Sequence, residues 1–212
     1  MTAATDSHAR GALFVISAPS GAGKTSLVRA VLDRDPLVHV SISHTTRRRR
    51  PSETDGINYH FVDRARFEAM LAEDAFLESA DVFGNYYGTS AEWVDAELDA
   101  GRDVILEIDW QGAAQVRRQR PDTRCIFILP PSMATLEERL RLRGEDDDEV
   151  IARRLAAARE EMSHHVEFDD IVINELFDDA VEDLASLFRA ARLGIDRQTR
   201  AHSAMIQALL AH

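Results

Sequence analysis

The sequence predicts an α/β fold in which a mostly parallel sheet is covered by helices on both faces. Short apolar segments alternate with amphipathic ones along most of the 212 residues, as expected for strands joined by crossover helices. The first apolar segment, residues 12–16, leads into a glycine-rich turn that ends in Gly23, Lys24 and Thr25. Hydrophobic residues make up 45% of the chain, which is sufficient for the core of a domain of this size.

The glycine-rich turn has the composition of a phosphate-binding loop. In such loops glycines let backbone N–H groups face a polyphosphate, and the N-terminus of the following helix adds partial positive charge. Lys24 is placed to reach the β- and γ-phosphates, and Thr25 offers a hydroxyl to Mg²⁺. Ala18 stands where the strict motif has a glycine, whereas Gly21 and Gly23 are present. An ordinary strand-to-helix turn is the alternative for this stretch taken alone.

Short apolar or alternating runs predict the strands. Residues 57–62 are assigned on composition, and residues 125–129 are closed by Pro130 and Pro131. Residues 76–88 are aromatic and are predicted to be extended. The predicted strands are residues 12–16, 38–43, 57–62, 104–109, 125–129 and 171–174.

Amphipathic segments with boundary residues at their ends predict the helices. Pro36 ends the first helix, Ser90 is the predicted N-cap of the third, and Gly101 follows the end of that helix. Ser132 is the predicted N-cap of the fourth. The predicted helices are residues 26–32, 64–74, 91–98, 133–142, 150–166 and 178–193, and the residues up to 212 allow one more.

This order places several polar side chains at one edge of the predicted sheet. Ligands of such sheets bind beyond the carboxyl ends of the strands. The glycine-rich turn, Asp109 and Asn174 each follow or end a predicted strand, so we expect them to meet at that edge. Residues 40–89 differ in character, with short strands, aromatic residues and arginines, and we interpret them as an inserted lobe. Residues 1–10 are polar and are predicted to form a flexible tail.

Charge and cysteine content argue against several classes of protein. The net charge is −12 and the isoelectric point about 5.1, whereas broad nucleic-acid binding requires a basic face. The single cysteine, Cys125, lies in an apolar run, which favours a buried thiol over a catalytic one and allows no disulfide within the chain. Residues 1–10 lack the apolar segment of a signal peptide, and no apolar run is long enough to span a membrane. We therefore expect a cytoplasmic protein that binds neither nucleic acid nor membranes.

Four consecutive arginines, residues 47–50, stand out in this acidic chain. The planar guanidinium group suits phosphate oxygens, so the cluster is a candidate anion site. A solvated basic loop, a nuclear-import patch and a nucleic-acid contact are the alternatives for the cluster alone. The nearby hydroxyls of Tyr59, Tyr86 and Tyr87 favour a specific anion site.

Together these stretches resemble the guanylate kinases, in particular the bacterial ones, over about residues 11–192. The matching positions occur in the order found in that family, and their combination is specific. They are Ala18-Pro-Ser-Gly-Ala-Gly-Lys-Thr25, Ser43-His-Thr-Thr-Arg47, Arg50, Glu53, Gly56, Tyr59-His-Phe61, Glu78, Gly84-Asn-Tyr-Tyr-Gly88, Glu107-Ile-Asp-Trp-Gln-Gly112, Pro130-Pro-Ser132, Arg139, Arg143-Gly144 and Arg154-Leu155.

The resemblance implies a P-loop nucleoside monophosphate kinase fold and the transfer of the γ-phosphoryl group of ATP to GMP with Mg²⁺. The implied guanylate kinase-like domain covers residues 11–192, and residues 193–212 would be a C-terminal helical extension. That extension would pack on the core or form the interface of a homo-oligomer. The implied parts of the domain are a core at residues 11–39 and 90–192, a GMP-binding lobe at about 40–89 and a lid at about 139–155.

By the same resemblance, the lobe and the adjoining sheet edge bind GMP. Arg47, Arg50, Tyr59 and Tyr87 would hold the phosphate that acts as the nucleophile. Glu78 would recognise guanine, because a carboxylate accepts from both the N1–H and the exocyclic amino group; without the family context it would be taken for a surface carboxylate. The remaining implied contacts are two hydroxyls at the base and two acids near the base and the metal: Ser43, Thr89, Glu107 and Asp109.

ATP would bind at the phosphate loop and under the lid. Asn174 would lie near the adenine, and Mg²⁺ would be held by Thr25 and, partly through water, by Asp109. The implied loop contacts are Ala18, Pro19, Ser20, Gly21, Ala22, Gly23, Lys24 and Thr25. The implied catalytic residues act by positioning and charge neutralisation, and they are Lys24, Arg47, Arg139, Arg143 and Arg154.

Two other functions remain as alternatives from the sequence. One is a P-loop kinase for another nucleoside monophosphate, and the other is a catalytically inactive guanylate kinase-like module that binds protein partners. Arg49 stands where the family has a proline, which leaves open whether Arg49 or Arg50 binds phosphate, although the spacing favours Arg50. His164 and His165 are not predicted to bind metal, because adjacent helical residues point in different directions.

Overall fold

The computed structural model describes residues 9–82, 84–142 and 147–211. Within these residues nine strands form a sheet of five strands and a sheet of four. The strands are β1 (Leu13–Ser17), β2 (Val38–Val40), β3 (His44–Thr45), β4 (His60–Phe61), β5 (Phe76–Val82), β6 (Asn85–Ser90), β7 (Asp103–Glu107), β8 (Arg124–Leu129) and β9 (Asp170–Ile173).

The same residues form nine α-helices and a short 3-10 helix at His164–Glu167. The α-helices are α1 (Lys24–Arg34), α2 (Arg64–Ala72), α3 (Ala91–Asp99), α4 (Trp110–Gln119), α5 (Met133–Leu142), α6 (Asp148–Ser163), α7 (Phe177–Arg192), α8 (Ile195–Ala201) and α9 (Ser203–Leu210). None of these helices combines the length and the apolar character that a membrane span requires.

Strand β1 lies at the centre of the larger sheet, whose order is β2-β7-β1-β8-β9. Each pair of neighbouring strands is parallel, so the chain must cross over between strands, and the crossover helices cover the sheet. All residues of β1 are buried, as expected for a strand covered on both faces. The predicted fold class, a mostly parallel sheet flanked by helices, is confirmed.

Alternate residues of β1 point into two separate apolar clusters, one on each face of the sheet. Phe14 and Ile16 pack with residues of α1 and α7, and the rings of Phe14 and Phe188 lie 4.3 Å apart between centroids. Leu13 and Val15 pack instead with apolar residues of α3 and α4. The core therefore holds the carboxyl end of β1, and with it the start of the phosphate loop, between two layers of helices.

The smaller sheet, with the order β4-β3-β6-β5, lies in the segment that was predicted to be an inserted lobe. Strands β5 and β6 form an antiparallel hairpin, and helix α2 packs on the sheet through Phe67 and Met70, which form a small cluster with Phe76. A Cβ on Gly88 would lie 2.9 Å from the Phe76 ring. This close approach of strand to ring explains the glycine.

Helix α4 holds the hairpin against the larger sheet. The Gln115 side chain exchanges hydrogen bonds of 3.1 Å with both the backbone N–H and the carbonyl of Ser79. Gln119 donates to the carbonyl oxygen of Leu77 at 2.9 Å. These hydrogen bonds attach strand β5 of the lobe to α4, the helix that follows β7.

The segment around Asp109 differs from the sequence prediction. The predicted strand at residues 104–109 ends at Glu107, and Asp109 is instead the N-cap of α4, where its Oδ1 accepts from the Gly112 N–H at 2.7 Å. The sequence analysis assigned no helix to Trp110–Gln119. Its buried face is small, consisting of Gly112, Ala113 and Val116, and most of its other residues are polar, so no apolar segment stands out and the carboxylate cap is the stronger signal.

Several other boundaries differ by a few residues, and three of these differences have local reasons. The strand predicted at residues 57–62 shrinks to His60–Phe61, because the N–H groups of Ile57 and Asn58 turn back to the Thr54 carbonyl. The helix predicted at residues 150–166 starts at Asp148 and ends at Ser163, where the 3-10 helix begins. The single C-terminal helix allowed by the sequence is two short helices, α8 and α9, with His202 between them.

Candidate active site

The phosphate loop turns sharply between β1 and α1. Gly21 and Gly23 both have φ of +93°, a left-handed conformation that glycine adopts readily. The N–H of Ala22 donates to the Pro19 carbonyl at 3.1 Å. Gly23 is the N-cap of α1 and supplies no side-chain cap. The backbone N–H groups of the first turn of α1 are therefore free of side-chain competition for an anion.

An open cavity lies over this loop, with Lys24, Thr25 and Glu161 among the residues that line it. Burial lowers the pKa of the Lys24 ammonium below its usual value. The negative charges of Glu107, Asp109 and Glu161 oppose this lowering without reversing it. These acids converge on the lysine from three elements: β7, the start of α4, and α6. The lysine is thus the positive centre of an otherwise acidic cluster.

Glu161 is a site residue that the sequence analysis missed. It lies on α6 and lines the cavity over the phosphate loop, close to the backbone of Ser20. Burial raises the pKa of its carboxyl, and the charge of Asp109 adds to that effect. The only signal in the sequence was its position about two helical turns beyond Arg154, on the helix whose first residues were assigned to the lid.

Asn174 follows β9 and reaches the loop from the far edge of the sheet. Its Nδ2 donates to the Ala22 carbonyl at 2.7 Å. Its own carbonyl accepts from Nη2 of Arg139, on α5, at 3.0 Å. The structure thus brings Asn174 to the loop, as the topology of the parallel sheet predicts, and places Arg139 beside it.

Two other arginines, Arg143 and Arg154, were also predicted to belong to the lid. Arg154 lies on α6 and is half-buried. Arg143 lies outside the described residues. Neighbouring Arg141 is exposed and pairs with Glu137 and Asp148.

The lobe contains a second polar site, centred on Glu78. This carboxylate is only 6% exposed and accepts from the Thr89 hydroxyl at 2.7 Å across the β5–β6 hairpin. Burial raises the pKa of the Glu78 carboxyl, and the nearby Asp109 charge raises it further, against the lowering effect of the Thr89 hydrogen bonds. A buried carboxylate with one hydroxyl partner retains acceptor capacity for a ligand with N–H groups.

Arg47 lies at the centre of an anion-binding cluster in the same lobe. Its Nη2 donates to Glu53 at 2.7 Å, and its guanidinium lies 5.3 Å from the centroid of the Tyr59 ring and close to Tyr87. The Tyr59 and Tyr87 rings meet edge to face, 5.8 Å apart. Three of the four predicted phosphate contacts are therefore adjacent.

The fourth predicted contact, Arg50, is held mainly by its backbone. Its N–H donates to Glu53 at 2.8 Å, and its side chain is exposed. Arg49 donates to the carbonyl of Glu53 at 3.1 Å, so its guanidinium is engaged with the main chain of the loop. Glu53 organises this arginine loop, and its hydrogen bond from Arg47 is the first cause of a lowered pKa of the Glu53 carboxyl.

Glu107 and Asp109 lie between the two sites. The charge of Glu107 acts to raise the pKa of both Lys24 and Tyr59. Its buried Oε1 has no hydrogen-bond partner among the described residues. The charge of Asp109 acts to raise the pKa of Lys24, Glu78 and Glu161. The two acids therefore join the phosphate loop to the lobe, although they belong to different elements. Ser43 follows β2 on the chain leading into the lobe and is half-buried.

The adjacent histidines serve packing and local hydrogen bonding. The His164 ring stacks on Trp110, with centroids 3.4 Å apart and planes at 8°, and its Nδ1 lies 2.6 Å from Glu167. His165 contacts the Met162 carbonyl through Nδ1 at 2.8 Å. The described residues contain no group of three or more histidine, cysteine or acidic side chains arranged to hold a metal ion.

Comparison with known proteins places this geometry in a family. A family model described as guanylate kinase matches residues 10–191. The chain is 57% identical over 201 residues to a guanylate kinase of Methylobacillus flagellatus, which covers 95% of this chain and all of that one. It is 52% identical over 204 residues to one of Aliivibrio fischeri, which covers 95% and 99% of the two chains. A crystal structure of guanylate kinase from Anaplasma phagocytophilum is 31% identical, with a TM-score of 0.72 and coverage of 89% of this chain and 90% of that one.

Proposed function

The chain belongs to the guanylate kinase family, and on that premise we propose how its residues divide the transfer of the γ-phosphoryl group of ATP to GMP. The reaction yields ADP and GDP. The observation that supports the division best is the pair of polar sites, one at Lys24 and one at Glu78, linked by the charge of Asp109. Two substrates that exchange a phosphoryl group need adjacent sites of this kind.

GMP is assigned to the lobe. Glu78 accepts from the N1–H and the exocyclic amino group of guanine, and Thr89 holds the carboxylate in place. Adenine has no N1–H and no 2-amino group, so it would leave the buried carboxylate without partners. A binding site that leaves buried polar groups unpaired discriminates strongly against the wrong ligand. Ser43 supplies a further hydroxyl at the base.

The GMP phosphate is assigned to Arg47, Tyr59 and Tyr87, with Arg50 joining from the surface of the loop. One cation and two phenols already lie together there, and a second guanidinium completes the neutralisation of a dianion. The attacking group is a phosphate oxygen that is anionic near neutral pH, so no general base is needed. These residues act by fixing the nucleophile in line with the transferred group.

ATP is assigned to the phosphate loop, residues 18–25. Lys24 neutralises charge on the β- and γ-phosphates, and the loop N–H groups hold the phosphate chain. Arg139, Arg143 and Arg154 are assigned to the lid side of the same chain. Residues 139–155 would close over ATP, and the lobe at residues 40–89 would close over GMP, so that water is excluded during transfer.

Mg²⁺ fits this donor set. Thr25 lies in the first turn of α1 and is exposed beside the loop cavity, and Asp109 lies within electrostatic reach of Lys24. Hydroxyl and carboxylate oxygens suit a hard cation that takes its other ligands from water and phosphate oxygens. When bound, Mg²⁺ supplies charge neutralisation at the β- and γ-phosphate oxygens. Thr25 would contact it directly, and Asp109 through water.

Steady-state phosphotransfer with ATP and each of GMP, AMP, UMP and dTMP tests the proposed function. We expect kcat/KM to be highest for GMP by several orders of magnitude, in line with polar discrimination of about 10⁴-fold at a buried site. A preference for another monophosphate would overturn the assignment of Glu78. Calorimetric titration with ATP tests the inactive-module alternative, which predicts that the chain does not bind ATP.

A further inference from the structure

Asn174 connects the last strand of the sheet to the phosphate loop. The residue is 3% exposed, and its backbone N–H donates to the Leu129 carbonyl at 2.8 Å, which continues the pairing of β9 with β8. Its side-chain Nδ2 donates to the carbonyl oxygen of Ala22 at 2.7 Å, across 152 positions in the sequence. The amide is therefore supported by the sheet and directed at the loop backbone.

The peptide bond that follows Ala22 is held in one orientation by this contact. In a trans peptide unit the carbonyl oxygen and the following N–H point in opposite directions. Because the Ala22 carbonyl points to Asn174, the Gly23 N–H points away from Asn174. Gly23 also lines the cavity above the loop.

The backbone on both sides of Ala22 has a conformation that residues with a side chain rarely adopt. The residues on either side of Ala22 are both left-handed, with φ of +93°. A Cβ on Gly23 would collide with the Asn174 amide nitrogen. The amide therefore occupies the space next to Gly23 and donates to the Ala22–Gly23 peptide unit through the Ala22 carbonyl.

We propose that Asn174 is a positioning residue that holds the Ala22–Gly23 peptide in its phosphate-binding orientation, so that the Gly23 N–H faces the phosphate chain of ATP. It acts through the loop and does not itself have to contact the nucleotide. This inference rests on the proposed function for the identity of the phosphate ligand, and it changes the role that the family resemblance implied for Asn174, a place near the adenine.

Two details separate this role from a general packing role. The Arg139 guanidinium donates to the main-chain carbonyl of Asn174 at 3.0 Å, so replacing the Asn174 side chain leaves that acceptor in place. The Asn174 Oδ1 has no hydrogen-bond partner among the described residues. The donor half of the amide is thus the part that the loop uses, and an aspartate of the same shape cannot supply it.

The test compares Asn174→Ala and Asn174→Asp with the parent chain and with Glu175→Gln, a control at the adjacent exposed position. Calorimetry with inorganic tripolyphosphate, which has no base, measures the loop alone, and calorimetry with GMP measures the lobe. We expect Asn174→Ala to weaken tripolyphosphate binding roughly tenfold, as for a lost buried hydrogen bond, and Asn174→Asp to weaken it at least as much because its carboxylate also repels the anion, with GMP affinity within about twofold of the parent in both. Glu175→Gln should change neither.

Three outcomes would overturn the proposal. One is tripolyphosphate affinity within about twofold of the parent in Asn174→Ala, since the lost bond should cost more. Another is a parallel loss of GMP affinity, which indicates general destabilisation. The third is read in the parent chain, whatever the variants do: the Gly23 amide resonance must shift on addition of tripolyphosphate, and an unmoved resonance contradicts the orientation. If the parent prefers a monophosphate other than GMP but these results hold, the proposed function fails and the role of Asn174 stands.

Discussion

Single residues in this site combine a functional charge with a cost to folding, and Glu78 shows this most clearly. Its carboxylate is buried, with one hydroxyl partner from Thr89. Burying a charge without full hydrogen bonding is unfavourable unless a ligand completes the set. The assigned guanine supplies two N–H donors. Binding of GMP therefore offsets the unfavourable free energy of burying the Glu78 carboxylate.

Glu78→Gln should weaken GMP binding and leave ATP binding unchanged. The variant keeps an oxygen for the Thr89 hydroxyl but loses the charge and one acceptor for guanine. The expected loss is about 10²-fold in GMP affinity, typical of a charged hydrogen bond of about 3 kcal/mol. Calorimetry with each nucleotide measures the effect, with the exposed Glu73→Gln as the control. A change confined to the ATP affinity would show that Glu78 has another role.

The same variant should change the pH dependence of stability. The pKa of the Glu78 carboxyl is raised in the folded chain, mainly by burial, so the folded state holds this proton more tightly than the unfolded state. The free energy of unfolding then decreases as pH rises from the ordinary pKa of 4.5 through the raised value. Without nucleotide, we expect Glu78→Gln to melt at a higher temperature than the parent at neutral pH, with the difference shrinking below pH 4.5. Thermal melts between pH 4 and 8 measure it, and a constant difference would contradict this origin.

At the scale of elements, helix α4 joins the two sites. Its N-cap is Asp109, whose carboxylate also influences Lys24 and Glu78. Its far end binds β5 through Gln115 and Gln119. A single short helix thus carries a charge to the centre of the site and fixes the lobe to the sheet.

Asp109→Asn and Asp109→Ala should separate these two roles. Asparagine caps helices as well as aspartate does, so the first variant should keep the stability of the parent, whereas alanine should lose about 1 kcal/mol. Both remove the charge, and we expect both to reduce kcat by a similar factor. Urea unfolding and steady-state kinetics measure the two effects. Full activity in Asp109→Asn would show that the carboxylate acts only as a cap.

The C-terminal helices are anchored by one buried carboxylate at the start of β7. Asp103 is fully buried and pairs at 2.6 Å with Arg192, on α7, and with Arg197, on α8. It also accepts from the Ala12 N–H at 2.9 Å. This network explains why α8 turns back onto the sheet although it has no buried residues of its own.

Asp103→Ala should destabilise the chain by about 3 kcal/mol, because it leaves two arginines without their shared buried partner. Arg192 keeps Asp35 as a second partner at 2.6 Å, so the loss should fall more heavily on α8. Urea unfolding measures the change, with the exposed Asp122→Ala as the control. A loss equal to that of the control would mean that the network contributes no net stability.

At the scale of the molecule, the two sites lie on different sheets, and transfer requires the phosphates to meet. The lobe is joined to the larger sheet through α4 and the chain segments at its two ends, so a movement of the lobe would pivot at these places. Water must also be excluded, because it competes with GMP as the acceptor.

We therefore expect GMP to draw the lobe toward the larger sheet. Small-angle X-ray scattering should show a smaller radius of gyration with GMP, and a further decrease when a non-hydrolysable ATP analogue is added. Glu78→Gln at the same GMP concentration should remain in the open form. Scattering profiles that do not change with either ligand would contradict a closing lobe.

Much of the fold was predictable because its signals are local. The apolar run before Gly21, the capping serines Ser90 and Ser132, and the order of strands and helices predict the parallel sheet, and both serines do accept from the N–H three residues on. Helix α4 was missed because its buried face is short and contains a glycine. The two-residue strand β4 was overextended because the turn at Thr54 is set by backbone hydrogen bonds that composition does not reveal.

The sequence by itself determined the phosphate loop, the arginine cluster and the family, because each depends on residue type and order within short stretches. Tertiary structure alone decided which groups meet. Glu161 reaches Ser20, and the Asn174 amide bonds the Ala22 carbonyl, from elements more than a hundred residues away. Glu78 was expected to be exposed without the family context and is buried by the pairing of β5 with β6. Contacts of this kind follow from how the strands and helices pack, since burial, charge and hydrogen bonding depend on neighbours in space rather than in sequence.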